Sequence, residues 1–122
     1  MQYVRLYADA DGETHFQQVP LDFDEADYRP PSPMVFVSRA FQADALQFVR
    51  TPSGWSGENV HPPQHQFCFC LQGQLEIRAS DGEKRTFGPG DTVLIEDIDG
   101  KGHGSRVKGG KDLIAAIVPL EI

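Results

Sequence analysis

Residues 66–97 read QFCFCLQGQLEIRASDGEKRTFGPGDTVLIED, a series of short apolar or alternating segments separated by turn signals. The dipeptides QG at 72–73 and DG at 81–82 are two-residue turns of the kind that close β-hairpins. The sequence GPGD at 88–91 is a third tight turn, and it leads into another apolar segment. The predicted strands are 66–71, 74–79, 83–87 and 92–96.

The N-terminal part of the chain continues this pattern. Residues 3–8 and 14–21 alternate apolar and polar side chains around an Asp-Gly turn, which predicts a hairpin over about residues 1–21. Residues 22–33 are acidic and contain prolines, a composition typical of a loop. Residues 34–50 fit either a helical stripe or two short strands, and we favour strands.

The C-terminal part contains two further loops between apolar segments. Residues 51–58 (TPSGWSGE) form a Pro- and Gly-containing loop with the single tryptophan, and residues 98–104 (IDGKGHG) form a glycine-rich loop that holds His103. Strands are predicted at 105–108 and 113–120. Eight or more short strands with no clear helix indicate an all-β sandwich or barrel.

The composition limits the classes of protein and partner. A chain of 122 residues and 13.5 kDa has the size of one domain, residues 1–122. A formal charge of −7 and a pI near 4.9 argue against binding to nucleic acid or to an anionic membrane surface. The sequence has no apolar run of membrane-spanning length and no signal peptide at its start, so we expect a cytoplasmic protein.

Cys68 and Cys70 are the two cysteines, one residue apart in a predicted strand. This spacing points both side chains to the same face, where an internal disulfide would distort the strand. The simplest interpretation is that both are small buried core residues in a reducing compartment. Binding of a soft metal is the alternative, and it would need a third thiol or a suitably placed histidine.

Three sequence segments together resemble the cupin superfamily. They are GENVHPPQHQFCFCLQG at 57–73, FGPGDTVLIED at 87–97, and the lone histidine in the glycine-rich loop. The Trp-Gly loop and the His-Pro-Pro stretch make the chain similar to small bacterial single-domain cupin proteins, over about residues 54–107. The resemblance implies a double-stranded β-helix, a jelly-roll barrel whose mouth holds the site.

The resemblance also implies a set of metal ligands. The first cupin segment usually supplies two histidines and a glutamate at positions that, counted back from Gly73, fall on Asn59, His61 and Gln66. The second segment supplies one more histidine, here His103. His61 and His103 are therefore the two usual ligands that this chain keeps. Loss of the carboxylate predicts weakened affinity for a divalent transition metal.

We expect Asn59, His61, Gln66 and His103 to converge at one mouth of the barrel, with Cys68 deeper along the same strand face. Two functions are compatible with such a site. One is a metal-free module that binds a small polar molecule, and the other is a metal-dependent enzyme of the dioxygenase or isomerase type. Metal-free acid or base catalysis by one of the histidines is a third possibility, so whether the protein is an enzyme stays open.

Four other residues can be assigned provisional roles. His65 is predicted to lie on the face of its strand opposite the site, in a structural or exposed role, unless the strand begins one residue later. His15 in the N-terminal hairpin is predicted to be structural. Asp97 and Asp99 could orient the nearby imidazole or act as a base, although acidic residues in such loops are more often solvated turn formers.

The strand at 66–71 is apolar on both faces after its first residue. This pattern predicts burial of both faces, whereas a strand in an isolated small barrel would have one face in water. The covering layer would come from the N-terminal hairpin or from a second subunit. Because cupins commonly form dimers, the resemblance implies a homodimer.

Overall fold

The computed structural model describes residues 1–26 and 31–121, and in these residues all regular structure is β. The twelve strands are β1 (Gln2–Ala8), β2 (Thr14–Pro20), β3 (Asp24–Ala26), β4 (Val35–Val37), β5 (Gln47–Thr51), β6 (Ser56–Val60), β7 (Gln66–Gln72), β8 (Gln74–Ala79), β9 (Lys84–Phe87), β10 (Thr92–Ile95), β11 (His103–Lys108) and β12 (Leu113–Pro119). The prediction of an all-β fold is confirmed.

Two sheets form the body of the barrel. The larger has six strands in the order β2-β1-β10-β7-β12-β5, and the smaller has four in the order β6-β11-β8-β9. Strands β3 and β4 form a separate two-stranded sheet. Every described pair is antiparallel except β1 with β10, which is parallel. Two sheets built in this way are the jelly-roll architecture that the sequence predicts.

The predicted Asp-Gly hairpin turn is confirmed, because β8 pairs with β9 across it. The prediction that the Gln-Gly turn closes a hairpin is wrong, because β7 and β8 lie in different sheets and this turn carries the chain from one sheet to the other. Gly73 and Gly82 have φ values of 85° and 96°, which an L-residue with a Cβ rarely adopts. The predicted N-terminal hairpin is β1 paired with β2, joined by a turn that contains Gly12. Residues 34–50 contain β4 and β5, so strands rather than a helix are correct there.

Three predicted loops are partly wrong. The loop at 22–33 contains β3, which pairs with β4, while residues 27–30 of that loop lie outside the described residues. The loop at 51–58 already contains the start of β6. His103 does not lie in the glycine-rich loop but begins β11, between β6 and β8. In each case pairing with a neighbouring strand overrides the local Gly, Pro or acidic composition.

The core lies between the two sheets and is apolar. Its buried residues come from both sheets: Leu6, Cys68, Cys70, Leu75, Ile77, Ala79, Phe87, Val93, Ile95, Val107, Leu113 and Ala115. Both cysteines are buried and free, which confirms their predicted role as small core residues.

A second apolar cluster covers part of the outer face of the six-stranded sheet. Phe67 of β7 is buried there against Tyr3, Leu94 and Leu120, with Phe41 packed on top. Of the two covering layers predicted for β7, the N-terminal hairpin does not form a separate layer, because the parallel pairing of β1 with β10 makes it extend the same sheet and contribute Tyr3 to the cluster. The covering residue is instead Phe41, which lies in the segment before β5.

Candidate functional site

The turn of the N-terminal hairpin packs directly on the glycine-rich loop before β11. The Lys101 N–H donates to the Gly12 carbonyl oxygen at 2.9 Å. Gly100 has a φ of 88°, and a Cβ at this position would lie 2.6 Å from the same oxygen. Backbone therefore meets backbone here, and glycine is required by both conformation and space.

One buried hydroxyl joins three turns at this end of the barrel. Thr14 is fully buried, and its hydroxyl donates to the Gly102 carbonyl oxygen at 3.1 Å. The Thr14 hydroxyl oxygen also accepts from the backbone N–H of Ser80, in the turn between β8 and β9. The hairpin turn, the β8–β9 turn and the glycine-rich loop thus hold one another, and together they fix the residue that follows Gly102.

That residue, His103, forms a buried pair with Asp97. Its Nδ1 lies 2.6 Å from Asp97 Oδ2, and the two side chains are 4% and 0% exposed. Alternation along β11 places His103 on the same inward face as the core residue Val107. Because an ionised carboxylate only accepts, Nδ1 carries the hydrogen and Nε2 of a neutral ring keeps its lone pair.

The local composition predicts a solvated turn former at Asp97. In the structure Asp97 is instead fully buried. It follows β10 with the inward direction of Val93 and Ile95, so its carboxylate enters the barrel. Its second oxygen, Oδ1, is buried and has no hydrogen-bond partner among residues 1–26 and 31–121. A buried carboxylate oxygen without a donor is costly, so a donor from a bound molecule would be stabilising here.

Asn59 and His61 lie beside this pair on β6 and just after it. Asn59 has a φ of 53°, the one positive value for a described residue other than glycine, and it lines a depression of about 290 Å³ together with His103. His61 is exposed, and its Nε2–H donates to the Gly100 carbonyl oxygen at 2.9 Å. In this arrangement His61 supports the glycine-rich loop rather than pointing a free nitrogen at His103.

Gln66 and Cys68 lie on the inward face of β7. Gln66 is half-buried at the start of the strand, opposite Ile95, and Cys68 lies deeper, opposite Val93. Burial, helped by neighbouring Cys70, raises the pKa of the Cys68 thiol to about 12. Cys68 is therefore a protonated thiol in the apolar core, and Gln66 is a neutral amide at the start of the same strand.

These donors do not fit a tightly held transition metal. Among residues 1–26 and 31–121, no three His, Cys, Asp or Glu side chains lie close enough together to hold an ion. Structural and catalytic metal sites in proteins use three or four such ligands. Neutral Gln66, protonated Cys68 and the hydrogen-bonded Nε2 of His61 do not supply the missing ones.

A second imidazole–carboxylate pair, which the sequence reasoning missed, lies on the other side of the same strand end. His65 Nδ1 donates to Glu96 Oε2 at 2.8 Å, and Arg5 contacts the other oxygen of that carboxylate. Glu96 and Asp97 are adjacent, so alternation sends one to the outer face of the sheet and the other into the barrel. Two consecutive acids at the end of the predicted strand 92–96 are the sequence signal that could have indicated one carboxylate on each face of the sheet.

His15 links the N-terminal hairpin to the β8–β9 turn. Its Nε2 lies 2.7 Å from Asp9 Oδ2 and its Nδ1 lies 2.9 Å from Asp81 Oδ2. Only a protonated ring can donate from both nitrogens, and the two carboxylates raise the pKa of His15 above 6.5. The hydrogen bond from His15 likewise lowers the pKa of Asp9.

This link predicts a pH dependence of stability. Because the folded state raises the pKa of His15, its contribution is complete below the ordinary value of 6.5 and is lost as the pH rises through the folded value. In urea unfolding at several pH values, the wild type should therefore lose stability above pH 6.5 relative to His15→Gln. Parallel curves for the two proteins would contradict the assignment. Asp81→Asn, which keeps the ring, should give a shallower slope than the wild type.

Comparison with known proteins identifies one family. The model of the cupin domain family matches residues 47–119. A Cupin 2 conserved barrel domain protein from Salinispora arenicola is similar in structure, with a TM-score of 0.50, 17% identity, and 83% of this chain and 76% of that chain covered. A cupin domain from Schizosaccharomyces pombe gives a TM-score of 0.47 and 15% identity, with 88% and 73% covered. No curated protein matches the sequence significantly. No helix in the described ranges is long and apolar enough to cross a membrane.

Proposed function

Since this chain belongs to the cupin domain family, we propose that it binds a small polar molecule at the mouth of its barrel, beside His103. The observation that carries the proposal is the buried His103–Asp97 pair with its unpartnered carboxylate oxygen. A fold shared by many functions does not identify one, so the chemistry of the pair is the argument.

The chemistry of the pair selects the kind of molecule. Asp97 Oδ1 needs a hydrogen-bond donor, and Nε2 of neutral His103 is a second acceptor. The amide of Asn59, which lines the same depression as His103, can donate and accept. We therefore infer that the ligand carries hydroxyl or amino groups on a small carbon skeleton.

General acid or base catalysis is the second candidate function, and the same pair favours it. A carboxylate that accepts from Nδ1 fixes the orientation and the tautomer of the ring, as a catalytic histidine needs. A dioxygenase or isomerase that depends on a metal is less well supported, because the donor set does not fit an ion. His103 is the residue on which both supported functions depend.

The deciding experiment is analysis of what the purified protein carries. Protein prepared without an affinity tag is denatured, and the released small molecules are identified by mass spectrometry. We expect a polar compound in near-equimolar amount from the wild type and a large loss from Asp97→Ala and His103→Phe, with His61→Gln as the matched control. Equal release from all four proteins would contradict the proposed site.

The same preparations test for metal. After incubation with Mn²⁺, Ni²⁺ or Zn²⁺ and dialysis, we expect the wild type to retain far less than one ion per chain, because Gln66 and Asn59 are weak neutral donors. Gln66→Glu supplies the carboxylate that the usual cupin pattern has and should raise retention. Stoichiometric metal in the wild type would overturn the metal-free proposal and favour the enzyme of the dioxygenase or isomerase type.

We also propose that the protein is a homodimer. Leu46, Phe48 and Leu71 form an apolar surface, here named the edge patch, with exposures of 59%, 70% and 50%. Phe48 lies opposite Ala116, which lies opposite Phe69, so the patch continues the outer face of the six-stranded sheet to its free edge at β5. An unpaired apolar edge strand favours pairing with another chain, and a second copy supplies a matching surface.

We place the protein in the cytoplasm. Cys68 and Cys70 are free and buried, and burial raises the pKa of both thiols, which suits a reducing compartment. Detection of the full chain in a cytosolic rather than a membrane or secreted fraction tests this placement.

A further inference from the structure

We propose a second binding site, on the outer face of the six-stranded sheet, for a small anionic amphiphile: a short acyl carboxylate. A cavity of about 250 Å³ lies there between the sheet and the segment before β5. Its walls are almost wholly apolar and come mainly from Tyr3, Phe41, Phe67, Phe69, Val118 and Leu120. It is separate from the barrel mouth, because Phe67 and Phe69 point away from the inward residues of the same strand.

The walls of this outer cavity are rigid. Phe67 meets Tyr3 and Phe41 edge to face, with ring centroids 5.3 and 5.0 Å apart, and it stacks on Phe69 at 5.7 Å. Rings packed against one another in this way hold their rotamers, so a ligand would enter a space that already exists. Because the cavity is below the usual 300 Å³ or more of drug-sized pockets, it suits a short acyl chain.

A positive charge lies against Phe41, one wall residue of the cavity, and it points to an anionic head group. The Arg39 guanidinium lies 3.9 Å from the centroid of Phe41, one of the wall residues, and Arg39 is exposed. In the part of the chain that the structure describes, every other arginine has a carboxylate within 4 Å: Arg5, Arg50, Arg78, Arg85 and Arg106. Arg39 has none there, in a chain of net charge −7.

Together these features match the two ends of one molecule. The apolar walls would bury an acyl chain and remove its apolar surface from water, which favours binding. The guanidinium against Phe41 would receive the carboxylate in a bidentate pair, a geometry that lysine or a neutral side chain cannot reproduce. The site would thus distinguish a fatty carboxylate from an alkanol of the same chain length.

Octanoate is the probe for this site. Titration of the full chain, followed by NMR with assigned methyl and aromatic signals, should give saturable shifts at Val118, Leu120 and Phe41. Octan-1-ol should bind at least about tenfold more weakly, and Arg39→Gln should reduce octanoate affinity by a similar factor. Arg50→Gln removes one exposed arginine elsewhere and should leave the affinity unchanged, as should His103→Phe at the barrel mouth.

A variant that fills the outer cavity tests the proposal without a change in charge. Ala43 lines the cavity and is exposed, so Ala43→Phe should block octanoate while the circular dichroism spectrum stays that of the wild type. Shifts at Cys68 and Val93 instead would place the probe inside the barrel and overturn the proposal. Equal affinity for octanoate and octan-1-ol, or no saturable binding, would overturn it as well. None of these outcomes depends on the ligand of the barrel mouth.

Discussion

Replacement of Gly100 by alanine should lower the free energy of unfolding by about 2–5 kcal/mol, the sum of a backbone and a packing cost. Gly100 has a φ of 88°, where a residue with a Cβ is strained. The added methyl group would also lie 2.6 Å from the Gly12 carbonyl oxygen and 2.8 Å from the Gly12 Cα. Since backbone atoms cannot rotate away as a side chain does, the hairpin turn and the glycine-rich loop would have to separate.

The matched control for this variant is Gly82→Ala. Gly82 has a similar φ of 96°, but nothing lies within 4 Å of the position of its Cβ. Urea unfolding should therefore show only the backbone cost, about 1–2 kcal/mol. Equal losses for the two variants would mean that the contact between the loops contributes nothing. Separation of the loops should also move the NMR signals of the His103 ring in Gly100→Ala and leave them in place in Gly82→Ala.

Phe48→Asp should convert the proposed dimer into a monomer. The variant places a charge at the centre of the edge patch, where Phe48 is 70% exposed in the single chain. Hot-spot residues, which cluster near the centre of an interface, contribute about 2 kcal/mol or more, so the dissociation constant should rise by at least about thirtyfold. Sedimentation equilibrium should report a mass near 13.5 kDa for the variant and about twice that for the wild type.

Phe36→Asp is the control for surface charge, because Phe36 is 63% exposed but lies on β4, outside the large sheet. It should stay dimeric. A wild-type mass of 13.5 kDa at micromolar concentration would refute the dimer, and dissociation of both variants alike would assign the effect to charge rather than to the patch.

Much of the fold could be predicted because its turns are encoded locally. The DG dipeptide closes the β8–β9 hairpin, the QG dipeptide marks the turn between β7 and β8, and the Gly-Pro-Gly-Asp turn leads into β10 as expected. Strands β3 and β6 could not be predicted, since they exist through pairing with β4 and β11 rather than through their own composition. The role of the N-terminal hairpin depended on parallel pairing across about ninety residues, which no local pattern indicates.

Only part of the candidate site could be predicted, because the contacts of its residues depend on the fold. His103 could be singled out from the resemblance of three segments to the cupin superfamily, but its strand position and its partner depend on the fold. Asp97 follows a strand and precedes a glycine-rich loop, so the local composition predicts that its side chain is exposed to solvent. The inward direction of β10 instead carries the side chain into the barrel. The hydrogen bond from His61 to Gly100 arises from a loop conformation that spacing does not encode.

Because β1 pairs with β10, the segment that matches the family and the segment that folds as one unit do not begin at the same residue. Similarity to the family begins at residue 47, yet the hairpin before it contributes Leu6, fully buried in the core, and Thr14, which joins three turns. Without the hairpin, β10 would become an exposed edge and the loop before His103 would lose its support. The segment that homology outlines is therefore smaller than the cooperative unit, and a design that transplants the barrel should carry the hairpin with it.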